Sequence, residues 1–177
     1  MAEKQGLIHL YTGDGKGKTT AAIGIAVRAA GAGMKVVFAQ FMKGRDTSEL
    51  KSLSRVDGIT IIRNCEDLGW FNNEDTEQAK KYTDIHNKLL GEIETLVMNG
   101  QCDMLILDEV TYPYNFGIID KERLVNLLAD SPEEMEIVMT GRDADQFLCD
   151  CADYVTEMRK VRHPYDLGIN GRLGIEF

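Results

Sequence analysis

The sequence predicts an α/β fold: a mostly parallel sheet of about six strands held between two layers of helices, in one domain spanning 1–177. Three observations carry that prediction. Apolar runs of strand length alternate with helical patterns along the chain. The first run, Leu7 to Tyr11, is followed at once by a glycine-rich turn and an alanine-rich helix. A later run, Met104 to Leu107, ends in two carboxylates, Asp108 and Glu109. Strands that alternate with helices return through right-handed crossovers and so build a parallel sheet.

Bulk properties narrow the function. A chain of 177 residues can bury one full core and is short for two domains. The hydrophobic fraction of 44% is that of a globular protein. A net charge of −9 argues against nucleic acid or an anionic membrane as partner, because both call for a basic face. The polar start Met1-Ala-Glu-Lys-Gln-Gly6 reaches the first strand without a signal peptide, and no apolar run approaches membrane-spanning length. A cytoplasmic location is expected, where the four cysteines stay reduced. Cys149-Asp-Cys151 lacks the spacing of a zinc pair and reads as structural.

The glycine-rich turn is the centre of the chain. Thr12-Gly-Asp-Gly-Lys-Gly-Lys-Thr-Thr20 places glycines at alternate positions, then a lysine and two threonines, between a strand and a helix. Glycines let successive backbone N–H groups face a polyphosphate, lysine adds a point charge, and a threonine at the helix start can hold a divalent cation. Gly13, Asp14, Gly15, Lys16, Gly17, Lys18, Thr19 and Thr20 are therefore the expected nucleotide-binding residues. Thr12 stands where the usual spacing has a glycine. With Asp108 and Glu109 as a second element beside the cation, the fold narrows to a P-loop NTPase-like three-layer sandwich.

The remaining elements follow in order. Thr19 to Ala32 is a helix rich in small residues that can lie close to a sheet; Arg28 on it is either a solvated residue or a nucleotide contact. Lys35 to Gln40 is a buried strand, and Phe41-Met-Lys43-Gly44 leaves its carboxyl end, where open α/β sheets bind ligands. Asp46 and Glu49 have capping-box spacing before a short helix through Leu50 and Leu53. Ile59 to Ile62 is a third strand. In the irregular stretch after it, Trp70 either plugs the core or contacts a ligand. Glu74 to Met98 is a long helix whose apolar stripe is Tyr82, Ile85, Leu89, Ile93, Leu96 and Val97, with His86 a structural neighbour. Asp120 to Ala129 is a further helix, Met135 to Met139 a fifth strand, and Asp143 with Gln146 has the spacing of another capped helix. Tyr154 to Glu157 is a sixth strand. A basic tail with Arg159, Lys160, Arg162, His163 and Arg172 ends the chain.

Taken together, Thr12 to Ala22, Gln40-Phe-Met-Lys-Gly44, Leu107-Asp-Glu109, Thr140-Gly-Arg-Asp143, Glu157-Met158 and the closing His163-Pro to Gly174-Ile-Glu-Phe177 resemble the P-loop ATP:corrinoid adenosyltransferases of cobalamin biosynthesis and salvage. The resemblance runs almost end to end. It implies that cobalt(I) of a reduced corrinoid attacks C5′ of ATP and triphosphate leaves. It further implies a reversed ATP along the loop, Mg2+ or Mn2+ on the phosphates, a homodimer and a flavoprotein-type reductant. Cobalt(I) has no proton to lose, so no catalytic base is required; the protein must neutralise the leaving triphosphate, align the reactants and exclude water. Lys18, Thr19 and Glu109 are the expected catalytic residues, with Thr19, Asp108 and Glu109 at the metal.

Members of this family carry an aromatic pair spaced Phe-x-Trp that helps displace the lower axial ligand of the corrinoid. The corresponding residues are Leu68 and Trp70, so one aromatic is missing unless Phe71 supplies it. Asp14 stands where members often have Asn, and with so short an N-terminus the extra helix some members carry is not expected. Rival readings are another P-loop kinase or ATPase, which would release ADP, and a non-catalytic nucleotide- or corrinoid-binding regulator. GTP specificity is not expected, because Asn87-Lys88 runs on into leucines rather than a base-reading motif.

Overall fold

The computed structural model describes residues 5–176; Met1 to Lys4 of the polar start and Phe177 of the closing block lie outside the described residues. Its sheet is built from strands whose two faces are both covered. Every residue of β2 (Val36–Gln40) and β4 (Met104–Asp108) is buried. Alternate side chains go to opposite layers: Val37, Ala39, Leu105 and Leu107 to one, Val36, Phe38, Met104 and Ile106 to the other. This explains the continuous apolar runs in the sequence, since a strand between two helical layers has no polar side.

The other strands are β1 (Ile8–Thr12), β3 (Ile59–Arg63), β5 (Glu136–Thr140) and β6 (Tyr154–Glu157). All neighbours pair in parallel, in the order β3-β2-β4-β5-β1-β6. The three-layer α/β architecture expected from the sequence is present. One layer holds α1 (Lys18–Gly31) and α2 (Ser48–Leu53). Ala22, Ala26 and Ala29 form the buried stripe of α1, and their small side chains bring the helix close over Phe38, Ile106 and Val138. The opposite layer holds α3 (Thr76–Met98) and α5 (Lys121–Ala129), which bury Leu89, Leu90, Ile93, Leu124 and Leu127 against the sheet. A short α4 (Thr111–Phe116), not foreseen, follows β4 directly, and α6 (Gln146–Asp150) follows β5.

Several local expectations are corrected. The N-cap of α2 is Thr47, without a side-chain bond, because the Asp46 carboxylate is drawn to the Arg63 guanidinium at 2.9 Å. The cap of α6 is Asp145, which accepts from Phe147 N; Asp143 lies in left-handed backbone. Helix α3 starts at Thr76, capped by Asp75, and its buried stripe takes in His86 and Leu90, whereas Ile85, Leu96 and Val97 are half-buried. Trp70 does not plug the core: it is 92% exposed, while the half-buried Phe71 beside it packs on Tyr82 and Phe116. No helix among the described residues is long and apolar enough to cross a membrane.

This topology fixes where chemistry can occur. The carboxyl ends of β2, β4, β5 and β1 emerge side by side, with β5 between the strand that leads into the glycine-rich loop and the strand that ends in acid.

Candidate active site

The loop between β1 and α1 is shaped by its glycines. Gly13 (φ 97) and Gly17 (φ 122) occupy backbone conformations that side chains rarely adopt. A Cβ on Gly15 would stand 2.5 Å from Met158 O, and Gly15 N donates to that same carbonyl at 2.6 Å. The segment after β6 thus braces the loop from behind. The Lys18 ammonium folds over the loop and donates to the carbonyls of Gly13 (2.6 Å) and Gly15 (2.8 Å). Burial, followed by the nearby Arg142 charge, holds the Lys18 pKa below a lysine's ordinary value.

Asp108, fully buried at the end of β4, is the hub of the site. Its Oδ1 accepts from the hydroxyls of Thr19 and Thr140, both at 2.8 Å. Its Oδ2 accepts from Lys43 Nζ at 3.1 Å and Gln40 Nε2 at 3.3 Å. Lys43 also reaches Glu109 Oε1 at 3.3 Å. Burial alone would lower the Lys43 pKa, but Asp108 and Glu109 outweigh it and hold that pKa above the ordinary value. Glu109 is shifted upward, chiefly by burial and against the pull of Lys43. Its backbone is left-handed (φ 62), as are those of Met42 (φ 59) and Asp143 (φ 48). These three non-glycine residues follow the ends of β4, β2 and β5, and each such conformation costs about 1–3 kcal/mol. Strain is therefore concentrated where Lys43, Glu109 and Arg142 project.

Around these groups lies a cavity of about 540 Å³. The loop and α1 contribute Gly15 to Thr20 and Ile23; α2 contributes Ser48, Glu49 and Ser52; the strand ends and the segments beyond them contribute Lys43, Glu109 and Thr140 to Arg142; and α4 contributes Tyr112. The tail closes one side with His163 and Gly174 to Glu176. Lys16, Lys18, Lys43 and Arg142 gather in this hollow in a chain of net charge −9, facing the carboxylates of Glu49, Glu109 and Glu176; Lys16 is paired with Glu176 and Lys43 with Asp108 and Glu109. The donor set of Thr19, Asp108 and Glu109 fits a magnesium-type ion, which takes one or two carboxylates and draws much of its remaining shell from substrate phosphates and water. That the Lys43 ammonium lies between the two carboxylates shows the spot already stabilises positive charge. Among the described residues no group of three or more His, Cys, Asp or Glu forms a metal cage.

The expected residues divide. Gly15, Lys16, Gly17, Lys18, Thr19, Thr20 and Glu109 line the cavity, with Asp108 beneath them. Gly13 lies behind the loop, and Asp14 turns outward to accept from Lys160 N at 3.0 Å, a bond that lowers its pKa. Arg28 is exposed on α1 and is not among the lining residues. Leu68 and Trp70 are not among them either. Their loop is pinned by α3, where Gln78 donates to Leu68 O and Trp70 O and Tyr82 donates to Gly69 O. Phe71 packs at a tilt on Phe116 (5.0 Å), which neighbours Tyr112 (6.3 Å) at the cavity wall, so an aromatic path links the Trp70 loop to the hollow.

Lys43, Tyr112, Thr140, Arg142, His163 and Glu176 were assigned no role from sequence. For Lys43 and Arg142 the usable signal was position, directly beyond the carboxyl end of a strand. His86, by contrast, is structural: buried, it bonds Ile118 O at 2.9 Å, and burial pulls its pKa down to about 4.

Comparison with known proteins adds to this geometry. Residues 4–177 match the model of the family described as ATP:corrinoid adenosyltransferase BtuR/CobO/CobP. The corrinoid adenosyltransferase of Escherichia coli K12 is 31% identical over 175 residues, covering 99% of this chain and 87% of that protein. The corrinoid adenosyltransferase CobA of Salmonella typhimurium shows the same identity and coverage. That of Pseudomonas aeruginosa is 28% identical over 177 residues, covering 99% of this chain and 85% of its own.

Proposed function

The chain belongs to the ATP:corrinoid adenosyltransferase family, and from that premise we propose that this cavity transfers the 5′-deoxyadenosyl group of ATP to cobalt(I) of a reduced corrinoid, releasing triphosphate. The observation that carries the assignment to this cavity is the convergence of the glycine-rich loop, Lys18 and the Thr19–Asp108–Glu109 group in one hollow. In the reaction the cobalt(I) lone pair forms the Co–C5′ bond. The C5′–O bond breaks and its electron pair departs on the triphosphate, so cobalt rises formally from I to III. No proton moves, so the reaction requires no catalytic base from the side chains that line the cavity.

In this reading the loop amides, Lys16 and Lys18 bind the phosphates and orient C5′ outward. Thr19, Asp108 and Glu109 would hold Mg2+ or Mn2+, which supplies neutralising charge to the leaving group. Thr140 fixes Asp108 and the Glu109 backbone through its hydroxyl. Arg142 faces the same hollow from β5. The exposed Trp70, on a loop held by Gln78 and Tyr82, contacts the corrinoid, with Leu68 beside it and Phe71 supplying the second ring. We further propose a single domain acting as a homodimer in the cytoplasm, drawing electrons from a flavoprotein-type reductant. The four unpaired cysteines are in keeping with a reducing compartment.

The test is incubation with ATP, Mg2+ and chemically reduced cobalamin. A light-sensitive adenosylated corrinoid formed in step with triphosphate is expected. Release of ADP or diphosphate without a carbon–cobalt bond would overturn the reading.

A further inference from the structure

Lys43 has no part in the loop that names this kind of nucleotide site, yet it occupies the site's electrostatic centre. Its ammonium lies 3.1 Å from Asp108 Oδ2 and 3.3 Å from Glu109 Oε1. The remaining acceptor directions of Asp108 are taken by Thr19, Thr140 and Gln40. A divalent ion on Asp108 and Glu109 and the Lys43 ammonium therefore compete for the same oxygens. Two cations held by only these carboxylates in a partly buried hollow repel strongly, so the divalent ion can take the oxygens only as the ammonium gives them up. The lysine can: it has a flexible four-carbon stem, and it lines the cavity where a triphosphate would sit. An ammonium displaced within such a hollow needs a new anion, because a buried charge without a partner is costly.

We propose that Lys43 is a tethered counter-cation: it holds Asp108 and Glu109 until nucleotide and divalent ion arrive together, then transfers its ammonium to the triphosphate, joining Lys18 and Arg142 around the leaving group. This rests on the adenosyl-transfer reading. It makes two statements that a purely structural lysine would not. In the nucleotide-free protein Lys43 opposes binding of the metal, and phosphates and metal strengthen each other's binding because the phosphates give Lys43 somewhere to go.

The experiment measures Mn2+ affinity by electron paramagnetic resonance on the full chain, with and without inorganic triphosphate, for wild type, Lys43→Gln and Lys43→Met. Wild type should bind Mn2+ weakly alone and much more tightly with triphosphate. Removing the charge should tighten Mn2+ binding to the nucleotide-free protein by about tenfold or more and shrink the triphosphate effect. Adenosyl transfer by the same variants should slow by about a hundredfold, as when one charge-stabilising donor is lost. Unchanged or weaker Mn2+ binding by the folded neutral variants would overturn the proposal. So would a failure of both neutral variants to fold while Lys43→Arg folds, since Lys43 would then serve only to compensate buried charge. Wild-type protein that adenosylates corrinoid but shows no coupling between Mn2+ and triphosphate removes this inference alone; wild type that forms no adenosylated product removes the reading beneath it.

Discussion

Thr19 and Thr140 donate to the same oxygen, Oδ1 of Asp108, each at 2.8 Å. One residue lies in the first turn of α1 and the other ends β5, so a single buried carboxylate ties the helix that follows the glycine-rich loop to the strand beside it. Thr140 also accepts from Glu109 N at 2.9 Å, which sets the left-handed turn that aims Glu109 at the cavity. Thr140→Val keeps the shape and removes both bonds. It should cost about 1–3 kcal/mol of stability through the unsatisfied partners, and it should weaken the metal dependence of turnover more than Thr140→Ser does. Urea unfolding alongside Mg2+ titration of activity checks both.

Lys18→Ala should reduce ATP-dependent turnover by about a thousandfold, the upper range for one lost charge-stabilising group. Its ammonium bonds only loop carbonyls within the fold, so circular dichroism and the melting temperature should change little. Turnover equal to wild type would refute the phosphate-loop assignment.

Trp70→Ala should leave stability within about 0.5 kcal/mol of wild type, because the ring is 92% exposed. Phe71→Ala should cost about 1–3 kcal/mol, since its ring contacts Tyr82 and Phe116. On activity, Trp70→Ala should impair the reaction that begins from cobalt(II) reduced in the site and spare the one given cobalt(I) chemically. Equal loss in both assays would remove Trp70 from corrinoid handling. Leu68→Phe should be neutral or helpful in the first assay.

His86 gives the fold a defined acid sensitivity. It is buried and its pKa is pulled from 6.5 down to about 4, so between those values the unfolded chain binds the proton more readily than the native one. Stability should therefore fall as pH drops from about 6.5 toward 4, by roughly 3 kcal/mol in total from this residue. Urea unfolding at pH 7 and pH 5 should show the loss. His86→Gln, which can still donate to Ile118 O, should show a flatter dependence.

Much of the fold is legible in the sequence because its periods are strong. The apolar runs of β2 and β4 and the small-residue face of α1 admit few alternatives, and Gly-Lys-Thr between strand and helix marks its own chemistry. What could not be read is set by distant partners. Asp46 looks like a cap, but Arg63 takes its carboxylate. Trp70 looks like a plug, but the local backbone turns it outward while Phe71 packs half-buried on Tyr82 and Phe116. Lys43 and Arg142 lie about a hundred residues apart, and only the strand order brings β2 and β5 close enough for both to face one hollow. Helix α4 was hidden by its proline and its six-residue length.

The hydrogen bonds Gly15 N to Met158 O and Met158 N to Thr12 O have a consequence for biosynthesis. Thr12 and Gly15 are braced by a residue more than 140 positions later, and β1 has no sheet neighbours until β5 and β6 have been made. A nascent chain stalled before residue 158 should not retain ATP, because the glycine-rich loop then lacks its brace.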